Sequence, residues 1–357
     1  MKVVDGALKG KLVNARTATT AGDGADGSSL TDGSYMFYEC SGLTSWTVDL
    51  PNLTTSTYMF YNCSNLTSFS GDLPNLTTST YMFYNCSGLT SWTTDLPNLA
   101  NGSYMFYGSG LTSWTVELPN LANGNYMFRG CTSLISWTKA LPNLTNGDHM
   151  FYLCNSLTSW TVDLPNLTDG TYMFSACSSL TSFNAALPNL TKSSYMFSNC
   201  SSLISFTTNL SNLENGSYMF YNCSGLTSWN VELPNLTDGI YMFSACTSLT
   251  SWTTDLPNLT NATTMFANCT GLTSWTVDLP KLTSGASMFS GCKLDESSIL
   301  CVLNSIPTYT SGSHSLHLGK NTNYKDSTDI ATLLGTTTPI AARSTYKYKG
   351  WTITITT

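Results

Sequence analysis

A repeat solenoid with one parallel ladder of short strands is the fold class predicted by this 357-residue sequence. Three observations predict it: a segment that returns at a fixed period, apolar residues that alternate with polar ones at one place in each copy, and cysteines at a single repeat position. A Met-Phe pair marks the period, with its methionine at Met36, Met59, Met82, Met105, Met127, Met150, Met173, Met196, Met219, Met242, Met265 and Met288. Every step is 23 residues except Met105 to Met127, which is 22 and coincides with Gly108-Ser109-Gly110 where neighbouring copies carry Asn-Cys-Ser-Gly.

Within a copy, Leu43, Trp46, Val48 and Leu50 follow the LxxLxL spacing of leucine-rich solenoids, whose periods run from about 20 to 29 residues. Trp46, Val48 and Leu50 alternate with Ser45, Thr47 and Asp49, so a strand with one buried face is expected over each LTSWTVDL segment. Pro51 and its counterparts end that strand, because proline donates no ladder hydrogen bond. The Asn-Leu-Thr and Asn-Gly or Asp-Gly stretches that follow are turn chemistry. The Tyr-Met-Phe-x-x-Cys segment closes the coil as either a short strand or a turn of 3₁₀-helix. One coil cannot bury its own Trp, Met, Phe and Leu, whereas stacked coils cover one another. About twelve coils at ~4.8 Å each give a right-handed rod or arc ~55 Å long, with a long face and no pocket.

Eleven of the twelve cysteines, Cys40 to Cys292, share the repeat position, and Cys301 stands apart. In-register stacking places parallel Cβ atoms ~4.8 Å apart, outside the ~3.5–4.5 Å of a disulfide, so a buried ladder of free thiols is expected.

Three segments follow: residues 1–30 as an N-terminal cap or attachment segment, 31–292 as the solenoid, and 293–357 as a small α+β C-terminal cap. In the last, Asp295 caps a helix over 296–306 that Pro307 ends. His314–Leu318 and Trp351–Thr357 read as strands, and Thr328–Leu334 and Pro339–Lys349 as short helices.

The net charge of -7 and the scarcity of basic residues between Thr31 and Cys292, limited to Arg129, Lys139, Lys192 and Lys281, argue against nucleic acid as a partner. No apolar run of about 18 residues exists to cross a membrane. The first residues lack the apolar stretch of a secretory signal. His149, His314 and His317 sit in no nucleophile or metal motif, so no enzymatic activity is expected.

Binding candidates come from columns and from breaks in them. Asp49, Asp72 and Asp95 head an acidic column that either satisfies turn backbone or attracts calcium. Tyrosines before the methionines, from Tyr35 to Tyr241, form a column that stacks between coils or offers rings to sugars. The copies that depart most from consensus carry Arg129, Lys139, His149, Phe183, Lys192 and Phe206, the expected contact region.

Copies such as Leu226-Thr227-Ser228-Trp229 through Tyr241-Met242-Phe243-Ser244-Ala245-Cys246 resemble the BspA-like leucine-rich repeats, marked by an aromatic-x-x-Cys segment and a Leu-x-x-aromatic strand. Leu294-Asp295-Glu296-Ser297-Ser298-Ile299 and Lys349-Gly350-Trp351-Thr352-Ile353 resemble endings on such proteins from gut bacteria and their phages. The resemblance implies surface adhesion to protein or glycan on bacterial or host cells. Without an export signal, a virion fibre or receptor-binding component attached through its N-terminal segment is the leading expectation. A bacterial surface adhesin and a capsid decoration protein are the alternatives, each acting in several copies.

Overall fold

The computed structural model describes residues 20–21, 26–320 and 345–356. Most of the 1–30 segment and the whole of Thr328–Leu334 lie outside them. The chain divides into two compact units inside the repeat array: Met1–Leu180 with Asn184–Asn189, and Thr181–Phe183 with Leu190–Thr357.

The first unit is a β-solenoid of 23-residue turns. Its strands are β1 (Thr20–Ala21), β2 (Ser45–Trp46), β3 (Ser68–Phe69), β4 (Ser113–Trp114), β5 (Ser136–Trp137) and β6 (Ser159–Trp160). Pairing is parallel and in register, as in Ser45↔Ser68 and Ser113↔Ser136. β1 adds a rung ahead of the first full coil, with Thr20 opposite Ser45. The parallel ladder is as expected, but the strands hold two residues rather than eight. A buried indole N–H needs an acceptor. Trp46, Trp114 and Trp160 take the carbonyl two residues on, at 2.7–2.8 Å, yet strands that end in Phe69, Phe183 or Phe206 are equally short, so the indole bond alone does not set their length. Alternation persists without the strand, for Trp46, Val48 and Leu50 are buried while Thr47 and Asp49 are exposed.

A second ladder of single-residue parallel bridges runs Asp32, Thr55, Thr78, Asn101, Asn123, Asn146, Asp169. Between the ladders, each asparagine after the strand-ending proline donates Nδ2 to the preceding coil, as Asn75 does to Pro51 O at 2.7 Å and Asn98 to Pro74 O at 2.8 Å. These asparagines hold coil to coil rather than merely making turns.

The Tyr-Met-Phe-x-x-Cys closure is neither strand nor 3₁₀-helix. It is a run of turns with left-handed residues at the tyrosine and just before the cysteine, such as Tyr58 (φ 57°) and Asn62 (φ 57°). The second position explains its Asn and Gly content, since those residues tolerate this region best. A left-handed tyrosine costs about 1–2 kcal/mol, and ring stacking with adjacent coils offsets that by about 0.5–1.5 kcal/mol per pair.

Met, Phe and Cys from this closure fill the core opposite Trp and Leu. Phe37, Phe60, Phe83, Phe106, Phe128 and Phe151 stack 5.2–5.6 Å apart and meet the Trp column edge-on. The ladder cysteines are free and buried, as expected. Cys63, Cys86, Cys131, Cys154 and Cys177 each donate to a phenylalanine carbonyl of the coil before, as Cys86 does to Phe60 O at 3.1 Å, whereas Cys40 turns to Tyr38 O of its own coil. Where the period shortens to 22, Ser109 takes the cysteine's place and its Oγ lies 3.2 Å from Cys131 Sγ.

The second unit repeats this pattern with β7 (Ser182–Phe183), β8 (Ser205–Phe206), β9 (Ser251–Trp252) and β10 (Ser274–Trp275). Its bridges run Asn215, Asp238, Asn261, Ser284. Helix α1 (Glu296–Ser305) covers the last coil, with Ser298, Ile299, Val302 and Leu303 buried. Asp295 caps it by accepting Ser298 N at 2.8 Å, and the Ser298 side chain, then that backbone N–H and the Ser297 hydroxyl, hold the carboxyl below its ordinary range. Ser298 Oγ accepts Trp275 N at 2.7 Å, closing the open edge of the ladder.

β11 (His314–Lys320) bridges the last coil through Gly285↔Leu316 and lies parallel to β13 (Trp351–Thr356). β12 (Thr345–Tyr348) pairs antiparallel with β13. Residues 345–348 therefore form a strand, not the end of a helix. Lys349 (φ 49°) and Gly350 (φ 83°) supply the two left-handed positions of a tight hairpin, which a helix through Lys349 would not contain. No helix of the described residues is long and apolar enough to cross a membrane.

Candidate functional site

In the first unit the tyrosines before the methionines stack face to face, in the order Tyr35, Tyr58, Tyr81, Tyr104, Tyr126, His149 and Tyr172, at 4.3–5.0 Å between centroids. A second column stands beside it, because YMFY places another ring three residues on. Tyr38, Tyr61, Tyr84 and Tyr107 stack at 4.4–4.9 Å. Rings of the two columns also meet, as Tyr58 and Tyr61 do at 5.4 Å. The result is a ribbon two rings wide on the surface, most open at Tyr35 and Tyr38.

This geometry decides what the ribbon offers. Ring faces that a sugar would stack on are covered by neighbouring rings, so edges and hydroxyls remain. Desolvation, and then neighbouring phenols, raise the pKa of Tyr58, Tyr81 and Tyr84, the last to about 12, so these hydroxyls stay protonated donors.

Arg129 continues the second column where a tyrosine is due. Its guanidinium lies 5.3 Å from the ring centroid of Tyr107, 5.2 Å from Tyr126 and 4.7 Å from Tyr152. A cation over ring faces is attracted by the ring quadrupole. Arg129 Nε is buried with no hydrogen-bond partner. His149 occupies the first column between Tyr126 and Tyr172, with Nδ1 2.6 Å from Asp148 Oδ1. Thus Arg129 and His149 come together around Tyr126 and Tyr152.

The other expected contact residues do not join them. Lys139 takes the inward position that Val48 holds in its copy, one residue before the acidic column, and pairs with Glu117 of that column at 3.0 Å. Phe183 and Phe206 are buried in the core of the second unit, stacked on each other at 5.7 Å, and only the edge of Phe206 reaches a surface groove. They replace tryptophan at an inward position, where change alters packing rather than the face. Lys192 is exposed in the second unit. In the acidic column Asp49 Oδ1 accepts Asp72 N at 3.1 Å, the backbone-satisfying role. Among the described residues no three His, Cys, Asp or Glu side chains converge to hold a metal ion.

The expectation of no pocket also needs correction. Two shallow grooves of about 340 and 460 Å³ open in the second unit on either side of Asn230 and Glu232.

A family model described as BspA type leucine rich repeat region matches residues 28–135, 100–227, 145–273 and 193–316. Among solved structures, a leucine-rich repeat protein from Bacteroides ovatus is similar at 21% identity over 81% of this chain and 82% of its own, with a TM-score of 0.41. One from Eubacterium ventriosum is similar at 20% identity over 70% and 83%, with a TM-score of 0.40. A leucine rich cell surface protein from Faecalibacterium prausnitzii is similar at 18% identity over 77% and 79%, with a TM-score of 0.37. No curated protein matches the chain.

Proposed function

Because the chain belongs to the BspA type leucine-rich repeat family, we propose that it is a non-catalytic binding protein that works at a surface, pressing the aromatic ribbon of its first unit against a partner. The single observation that carries this reading is the ribbon itself. Two half-buried columns of rings at the surface, held rigid by stacking and interrupted by one arginine and one histidine, carry the aromatic and arginine residue types that dominate recognition hot spots. Rigid rings lose little entropy on binding. Tyrosine edges and hydroxyls suit a polar protein surface better than a sugar face. Each contact is weak alone, so several copies on a cell or particle would add by avidity. A bacterial cell surface or a virion are the two settings in which such a face would act.

Arg129→Tyr tests the site, since it restores the column's usual residue and removes only the charge. Purified protein is expected to sediment with intact bacterial cells or with purified phage particles, and the variant to be retained about tenfold less at an unchanged melting temperature. Equal retention of variant and parent would exclude Arg129 from the contact, and sedimentation with neither cells nor particles would overturn the reading.

A further inference from the structure

We propose that the second unit carries a separate binding site for a neutral oligosaccharide, centred on Asn230 and Glu232. The ladder of the coils fails at this place. β8 and β9 are strands, but the intervening Ser228–Trp229 is not, and the closest backbone link to the coil before is Thr227 N to Ile204 O at 3.4 Å. The side-chain stack nevertheless continues beneath, with Trp229 5.6 Å from Phe206 and 6.1 Å from Trp252. The core therefore stays closed while the outer arc of the backbone parts.

Parting leaves hydrogen-bonding groups unspent. Between the first two full coils of the first unit the equivalent arc is tied down by Ser70 N to Trp46 O at 2.9 Å and Leu50 N to Asp72 O at 3.0 Å, although Ser91–Trp92 of that unit is likewise no strand. Among the described residues, Asn230, Glu232 and Asp255 make no hydrogen bond through backbone or side chain. All three are exposed. They stand ready to exchange water for a ligand at small cost.

The lining selects the ligand. Asn230 and Glu232 border both grooves, Asn209 and Ser228 line one, and Thr253 and Asp255 the other. Amides, hydroxyls and carboxylates at close range are what vicinal sugar hydroxyls need, as donors and acceptors together. No Lys or Arg lines either groove, so two carboxylates disfavour an anionic ligand. Val231 and Pro234 supply apolar floor for the C–H face of a ring. Both volumes fall in the range of small-molecule sites, and the shared wall of Asn230 and Glu232 fits two successive units of one chain better than a single sugar. A peptide strand would want apolar pockets for alternate side chains, which these grooves lack.

The full chain would be titrated with linear hexasaccharides of glucose, mannose and N-acetylglucosamine, followed by saturation-transfer NMR and calorimetry. At least one is expected to bind, with affinity unchanged within about twofold between roughly 0.05 and 0.5 M NaCl, because a neutral ligand is not screened. Glu232→Ala and Asn230→Ala should each weaken binding about tenfold at an unchanged melting temperature. Arg129→Tyr should leave it intact, so this site and the ribbon fail independently. No binding of any of the three, full binding by Glu232→Ala, or preference for hexagalacturonate, hexaglutamate or calcium alone would overturn the proposal.

Discussion

Raising the pH from 8 to 11 is expected to unfold the first unit in one steep step. Burial pushes the Cys131 and Cys177 thiols up to about 12, Cys63 likewise, and Cys86 and Cys154 well above their ordinary value. In the unfolded chain these groups ionise near pH 8.5–9. A thiol whose folded pKa exceeds its unfolded one contributes stability that is complete below about pH 9 and is lost as pH rises through about 12. Each such thiol removes about 1.4 kcal/mol per pH unit in that window. The three raised to about 12 remove about 8 kcal/mol by pH 11, within the range of ordinary domain stability. Tyrosine ionisation adds to the loss above pH 10, since Tyr58, Tyr81 and Tyr84 are also raised. Circular dichroism against pH reads the transition, and absorbance at ~295 nm separates phenol ionisation. Cys154→Ala with Cys177→Ala should move the midpoint upward. Native signal retained beyond about pH 12 would contradict a ladder of protonated, buried thiols.

Trp137→Ala is expected to cost the first unit about 3–5 kcal/mol, the range for removing a large buried aromatic. Trp137 lies 5.6 Å from Trp114 and 6.1 Å from Trp160 in the column, and meets Phe128 and Phe151 edge-on at 5.1 Å. Its indole N–H donates to Lys139 O at 2.7 Å. In a solenoid each coil leans only on its neighbours, so the hole weakens two interfaces at once and no distant part compensates. Melting temperature should fall by roughly 10 °C for a unit of this size. Trp137→Phe should cost far less, about 1 kcal/mol, because Phe69 already fills this position at 5.1 Å from Trp92. Calorimetry that puts both variants within about 1 kcal/mol of the parent would contradict a core built on the aromatic column.

Much of this fold is legible because periodicity reports burial directly. Trp46, Val48 and Leu50 alternate in sequence and are buried in the structure, and the cysteine position predicts a free-thiol ladder that the structure contains. The length of the strands was not legible. Alternation is a property of side chains, whereas a ladder depends on backbone N–H and carbonyl groups of adjacent coils meeting, which side-chain periodicity does not report. Nor does the sequence show left-handed backbone at Tyr58, a residue type that rarely adopts it.

The site was legible in part. Arg129 and His149 stood out as breaks in a column, and they do meet. Phe183 and Phe206 stood out equally but sit at inward positions, where a break changes packing rather than contact. Assigning each break to its strand face first would have separated the two kinds. The second tyrosine column was present as the YMFY spacing. The grooves were not legible at all, since they arise where backbone hydrogen bonds between coils are missing.

The most direct test of the ribbon as the contact face is removal of hydroxyls without disturbing the stack. Tyr81→Phe, Tyr104→Phe and Tyr126→Phe combined leave the rings of a column spaced at 4.4–4.5 Å in place and delete three hydroxyls. Retention of the purified chain on intact bacterial cells or phage particles should fall about tenfold or more, at one net hydrogen bond of ~0.5–1.5 kcal/mol each, while the melting temperature holds. Retention equal to the parent, with the stack intact, would contradict the ribbon as the binding surface.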